Sequence, residues 1–373
     1  MYLSVIGLGQ AGGNIADEFA KRDFYTAAIN FSSTDLNSLE HVEKRLKLIG
    51  SEGIGKQRAD ALSLMNNNWD LAVNFVKENF SHSSVEIILV PFSCAGGSGA
   101  GMAPVLLSLL TEAMPEKIFV AAPILPDLKE AYTNQRNALE TFEDLSELGI
   151  SILPIDNEKA KSTIPNYGKN QLYKKVNERT VDLIESLISY TDRHSKYGIL
   201  DKKDLKTIFS QPGMATIGET DLSSLSPKHD TSETGFANRI KESWITSFFA
   251  DVEVERVVSA GFIFDGQERL MEMINMEKVF NNFQNKMPIS LFEGYYMGDR
   301  GRVITVLSGL PWCNTRLKQI DDSLTNTSAV LSSINETVAF KSNHLTHSSP
   351  TINNSQRQEK VKDISSLISK FKR

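Results

Sequence analysis

Residues 92–104 read FSCAGGSGAGMAP and follow the apolar run VEIILVP at 85–91. Gly96, Gly97, Gly99 and Gly101, with Ser98 and Ala100 between them, stand behind what reads as a buried strand and ahead of a helical pattern. Each glycine in place of alanine costs folding free energy, because the unfolded chain has more freedom to lose. A simple turn needs one or two. A run this dense suits a backbone that lies close against a ligand and points its N–H groups at it. A second such turn, GLGQAGGN at 7–14, follows the strand pattern LSVI at 3–6.

Around these turns, strands are expected at 3–6, 26–31, 86–91, 117–122 and 150–155. Amphipathic patterns at 13–21, 59–79, 102–114 and 128–148 alternate with them, and a helix is expected at 171–192. Alternation of this kind makes a parallel sheet covered by helices. A surface loop rich in Ser, Thr and Asp is expected at 218–235. A second α/β region follows, with helices at 236–249 and 268–283 and strands at 257–264, 289–296 and 303–308. The stretch SNHLTHSSPTINNSQRQ reads as a linker, and EKVKDISSLISKFKR places Val361, Ile364, Leu367, Ile368 and Phe371 at helical spacing. The expected division is 1–170, 171–195, 196–312, 313–356 and 357–373.

Bulk properties narrow the function. A net charge of −6 on 373 residues disfavours a nucleic-acid binder that uses its whole surface. Two cysteines, Cys94 and Cys313, exclude a disulfide framework and read as small buried hydrophobes in a reducing compartment. No apolar run reaches the roughly 18–20 residues of a membrane span, and the chain opens on a strand without a charged leader. A cytoplasmic location is expected. His41, His82, His194, His229, His344 and His347 are scattered, so no protein-built metal site is expected and any Mg²⁺ would arrive with a nucleotide.

Both glycine turns sit at the carboxyl end of an expected strand, where open parallel sheets bind ligands. Two N–H-rich turns leading into helices make a concentrated anion site and suggest a polyphosphate. Residues 7–12 also match the dinucleotide fingerprint GxGxxG. That reading needs a carboxylate at the end of strand two, which instead closes on Ala28-Ile29-Asn30-Phe31. No GxxxxGK[ST] occurs, so a P-loop is excluded.

GGSGAG at 96–101 resembles the GGGTGTG signature of the tubulin/FtsZ family, GLGQAGGN resembles that family's first loop, and Met102-Ala103-Pro104 continues the match. The resemblance covers most of 1–312. It implies an α/β fold: a Rossmann-like GTP-binding domain, a long central helix, a second α/β activation domain and a C-terminal helical tail. It further implies GTP or GDP with Mg²⁺, phosphates against Gly9, Gln10, Ala11, Gly12, Asn14 and Gly96–Gly101, and Asn30 closing strand two. Phe31 and Ser32 stand where the family has Thr and Asp, with Thr34-Asp35 beyond, and 50–55 resembles a shortened third loop. Glu130 matches the ribose glutamate; Asn134 stands where FtsZ has arginine, with Arg136 nearby. Asp156 and Asn157, in a stretch resembling IPND, and Tyr173 and Asn177, one helical turn apart, are the implied base contacts. An ordinary helix-surface aromatic is the plain alternative for Tyr173.

GILDKKDL at 198–205 resembles the acidic synergy loop, with Ile199 in place of its asparagine. Asp201 and Asp204 are the candidate catalytic carboxylates; a solvated face beside Lys202 and Lys203 is the alternative. Against their own triphosphate, two carboxylates would oppose binding. The family resolves this by serving the nucleotide of the adjoining subunit, which implies a head-to-tail filament. The divergent loops and the tail, with six basic residues at 357–373 against Glu359 and Asp363, resemble the TubZ group of plasmids and phages. That implies a DNA-bound adaptor as the tail's partner in a bacterial or phage-infected cell, with no direct membrane partner. From its residues alone the tail could dock on the body of its own or a neighbouring subunit, contact an anionic membrane, or bind an adaptor protein or DNA. A divergent FtsZ, a monomeric GTP-using enzyme and a nucleotide-free scaffold are the competing functions.

Overall fold

The computed structural model describes residues 2–164, 166–222 and 232–335, the last ten by backbone alone. The chain begins β1 (Leu3–Leu8), α1 (Gly9–Ala20), β2 (Tyr25–Asn30), α2 (Ser33–Asn37), β3 (Lys44–Lys47), α3 (Arg58–Met65) and α4 (Trp69–Phe80). It continues through β4 (Ile87–Ser93), α5 (Ser98–Ala113), β5 (Ile118–Leu125), α6 (Tyr132–Ser146), β6 (Ser151–Ile152), β7 (Ile155–Asp156) and α7 (Asn157–Thr163). Then come α8 (Lys169–Tyr190), α9 (Lys202–Phe209), β8 (Gly213–Asp221), α10 (Glu233–Thr246) and β9 (Ser259–Gly266). The last described elements are α11 (Glu268–Met271), α12 (Met276–Phe280), β10 (Ser290–Met297), β11 (Arg302–Leu310) and α13 (Asn314–Asn335).

All the strands join one sheet in the order β10-β9-β11-β8-β6-β5-β4-β1-β2-β3, with β7 also on β5. From β8 through β3 every pairing is parallel; β11 runs antiparallel to both β8 and β9. The sheet crosses from the first α/β region to the second through two short pairings, Ser151↔Gly213 and Ile152↔Met214. Alternate side chains feed two apolar layers, as a sheet covered on both faces requires. Ile88, Val90 and Phe92 face Met102 and Leu106 of α5, while Ile87 and Leu89 lie with Ile15 and Phe19 of α1 and Val181 and Ile184 of α8.

Several boundaries differ from the sequence expectation. Helices α1 and α5 both begin four residues early, so the glycine turns are the first turns of the helices themselves. The pattern at 59–79 is two helices, because Asn68 leaves the helix to trade hydrogen bonds with the Ile49 backbone, at 2.7 Å and 3.0 Å. The pattern at 268–283 likewise divides into α11 and α12, and the strand at 150–155 is interrupted by Leu153-Pro154. β3, reading KRLK, was not marked by its sequence: a charged, partly exposed edge strand carries no apolar alternation. The segment expected as a connection from 313 begins with the 22-residue helix α13. The expected loop at 218–235 is shortened at both ends, since β8 runs to Asp221 and α10 begins at Glu233; its middle, 223–231, the linker and the tail at 357–373 lie outside the described residues.

Gly12 packs α1 onto the sheet: a Cβ there would stand 2.1 Å from the carbonyl oxygen of Pro91 in β4. Backbone on both sides leaves nothing flexible to yield. Gly12→Ala should therefore destabilise the fold by about 3 kcal/mol, read as a fall in the urea midpoint. A loss under roughly 0.5 kcal/mol, the scale of a surface change, would contradict this packing.

Candidate functional site

A cleft of about 640 Å³ opens beyond the carboxyl ends of β1, β4 and β5. It is walled by the first turns of α1 and α5, the segment Gly53–Lys56, the start of α6 and the amino-terminal half of α8. Two of these helix ends carry the electrostatics. α1 and α5 have no side-chain cap and no acidic residue in the first turn, a property shared at this cleft by α6 and α8. By contrast, Ser32, Asp156, Asp201, Ser232 and Asn275 cap α2, α7, α9, α10 and α12 with their own side chains. The first N–H groups of an uncapped helix seek an acceptor, and the helix dipole favours a negative one. Gly9 brings the two ends together: its φ is +69°, and a Cβ on it would stand 2.9 Å from the amide nitrogen of Gly99. The two amide arrays therefore abut, as a polyphosphate requires.

Of the residues singled out by sequence, Gly9, Gln10, Ala11, Asn14, Gly96, Gly97, Ser98 and Gly99 line this cleft, together with Glu130, Asn134, Asn157, Tyr173 and Asn177. Five do not. Gly12 faces β4, and Ala100 is buried. Gly101 packs α5 against α3, where a Cβ would meet Ala61 at 2.6 Å. Asn30 lies behind the second loop, donating to Asp35 at 3.0 Å and accepting from the Ser32 N–H at 3.3 Å. Asp156, expected at the base, is 3% exposed and turned away into an ion pair with Arg316, 2.8 Å from Nε. Burial raises its carboxyl above the ordinary range, against the pull of Arg316. Arg136 is also away from the cleft, paired with Glu140 at 2.7 Å.

At the wall, Tyr173 donates to Glu130 at 3.1 Å, and Asn134 gives its Nδ2 to the same carboxylate. Burial, with the adjacent Glu130 charge, raises the Tyr173 phenol well above its usual value, so it acts as a donor. Asn134 is 7% exposed, and its Oδ1 is buried without a partner. Such an acceptor is costly to leave empty, and a ligand hydroxyl or amino group would satisfy it. Lys169 stands 5.6 Å above the Tyr173 ring.

The sequence reading did not single out Lys56, Lys169 or Ser93, which also line the cleft with Ser32 and Asp35. Lys169 had a signal: it lies four residues before Tyr173, hence on the same helix face. Lys56, with φ +68°, had only the neighbouring Gly53 and Gly55 to hint at a turn.

Asp201 and Asp204 are elsewhere. Asp201 caps α9, accepting from the Asp204 N–H at 2.9 Å, and Asp204 accepts from the Asp201 N–H at 2.9 Å. This reciprocal box engages one oxygen of each carboxylate. Burial raises the Asp204 carboxyl above its ordinary range; the Asp201 N–H opposes this and the Asp201 charge adds to it. α9 is fastened to the amino-terminal ends of β1 and β4. Tyr2, just before β1, donates to the Lys202 carbonyl, and Lys206 pairs with Glu86, just before β4, at 2.8 Å. The cleft begins at the other ends of those strands, at Leu8 and Ser93. With six residues in β1, the separation is roughly 20 Å.

Abutting helix amino termini at the carboxyl edge of an α/β sheet are the arrangement in which such folds take the phosphates of a nucleotide. Residues 3–165 match the tubulin/FtsZ family, GTPase domain. The tubulin-like protein CetZ of Pyrococcus horikoshii is 30% identical over 324 residues, 82% of this chain and 85% of that protein. The tubulin-like protein TubZ of Clostridium botulinum C phage is 26% identical over 264 residues, 67% of this chain and 68% of that one. Among solved structures, a GTPyS-form protofilament of Bacillus thuringiensis serovar israelensis TubZ superposes with a TM-score of 0.76 at 19% identity, covering 90% and 94% of the two chains. The chain belongs to the tubulin/FtsZ family. No helix among the described residues is long and apolar enough to cross a membrane.

Proposed function

We propose that the chain binds GTP in this cleft, adds head to tail onto copies of itself, and hydrolyses the GTP at the joint. One observation carries the reading: the acidic pair and the cleft occupy opposite ends of the same strands, roughly 20 Å apart. No carboxylate of that pair can reach its own cleft. A second subunit stacked on the cleft can present one.

The triphosphate lies against the first turns of α1 and α5. The base is held near Tyr173, Asn157 and Asn177, and the ribose meets Glu130 and Asn134. In the joint, Asp201 accepts a proton from water as it attacks the γ-phosphorus; the leaving GDP departs in line and inorganic phosphate forms. Mg²⁺ would accompany the nucleotide, because a carboxylate and a hydroxyl, hard oxygen donors, line the cleft. Asp35, with Ser32 beside it, would hold it; the ion would neutralise charge on the phosphate oxygens.

The reading makes hydrolysis depend on assembly. Phosphate release across a dilution series should vanish below a threshold protein concentration. Constant activity per molecule down to nanomolar protein would leave a monomeric enzyme and refute the joint.

What such filaments move is a separate reading. Likeness to the phage TubZ favours DNA segregation in a plasmid- or phage-bearing cell, through an adaptor held by 357–373. The longer match at higher identity is to archaeal CetZ, whose name specifies no cargo. Removing 345–373 should spare GTP turnover and abolish capture of an adaptor–DNA complex; unchanged capture would exclude the tail.

A further inference from the structure

We infer that Arg316 is a positioning residue for the base end of the cleft, the point through which helix α13 and a guanine nucleotide act on each other. The inference rests on the reading that the cleft takes GTP.

Strands β5 and β7 run side by side, with Ile124 opposite Ile155 and Leu125 opposite Asp156, and their pairing ends there. The next residue of each, Pro126 and Asn157, lines the cleft. No ladder hydrogen bond holds these two exits together. Arg316, in the first turn of α13, bridges them, alongside two contacts farther out: Glu158 accepts from the Leu128 N–H at 2.7 Å and Lys161 pairs with Asp127 at 2.8 Å. Its Nη2 donates to the Pro126 carbonyl at 2.6 Å and to Asp156 Oδ1 at 3.2 Å, and its Nε donates to Asp156 Oδ2 at 2.8 Å. Asp156 in turn caps α7, accepting the Glu158 N–H at 3.0 Å, so the clamp sets the position of the first α7 residue, Asn157.

The side chains of both partners are almost wholly buried, and Arg316 Nη1 has no partner. Apolar side chains of similar volume would often hold such a place as well or better, so stability alone does not account for the pair. What it does supply is a fixed direction: a planar fork bridging two strand exits and one helix. If α13 shifts, Pro126 and Asn157 shift with it. By reciprocity, a base that fixes Asn157 also fixes α13.

The test uses the full chain carrying Asp156→Asn together with Arg316→Met, which removes both charges and keeps an asparagine cap on α7. GTP and ATP affinities are measured by competition against a fluorescent GDP, alongside the melting temperature. The expected result is a near-unchanged melting temperature and a preference for GTP over ATP reduced about tenfold, the worth of a well-made hydrogen bond. A purely structural clamp would instead lower the melting temperature and weaken both nucleotides equally. A folded double variant with the original preference overturns the inference. The unmodified chain gives a second arm: saturating GTP should slow amide exchange in 314–325, and unchanged exchange there overturns it as well. An unmodified chain that binds no GTP at all rejects the reading of the cleft itself.

Discussion

Asp201→Asn leaves the melting temperature and GTP affinity near their original values and slows GTP turnover about 100-fold or more, the scale of a lost proton acceptor. Asparagine caps a helix about as well as aspartate. The substitution thus preserves the box that starts α9 and removes only the charge. The distinction matters, because Asp201→Ala would lose the cap as well, at a cost of about 1 kcal/mol, and confuse the two roles. Binding survives because the cleft lies at the far end of β1. Sedimentation with GTP should still recover polymer, now persistent, since its nucleotide is no longer consumed. Phosphate release at the original rate from assembled protein would take Asp201 out of the chemistry and leave it as a helix cap.

Gly9→Ala acts at the opposite end of the molecule. A non-glycine residue at φ +69° costs about 1–2 kcal/mol, and its Cβ would press on the Gly99 amide from 2.9 Å. Relieving that contact separates the two amide arrays. A polyphosphate bound by both loses its fit to one. GTP affinity should fall at least about tenfold, with a loss of stability too small to unfold the chain. A tight-binding Gly9→Ala protein, measured by calorimetry, would show that the two helix ends do not act together.

The parts of this molecule that its sequence announced are those where local chemistry is unusual. Glycine density marked both helix starts, and the alternation of β-branched runs with amphipathic ones marked the parallel sheet. The reading failed where one side chain's role depends on residues distant in sequence. Asp156 lies in a polar stretch, and nothing near it says that Arg316, 160 positions on, turns it away from the cleft. Lys56 enters the cleft on a left-handed turn that flanking glycines hint at without specifying. Asn30 supports the second loop from behind, a role indistinguishable in sequence from lining it. The asparagine that splits 59–79 is likewise explained by a distant partner, the backbone of Ile49, beside its local bond to the Leu64 carbonyl.

The two strands that tie Tyr2 and Glu86 at one end to Leu8 and Ser93 at the other also fix a count. In a row of these molecules stacked as proposed, every subunit lends its carboxylates in one direction and borrows in the other. A row of n subunits then holds n − 1 completed sites, and one terminal molecule always keeps a nucleotide that nothing can cleave. The two tips of such a row are chemically unlike, however short it is.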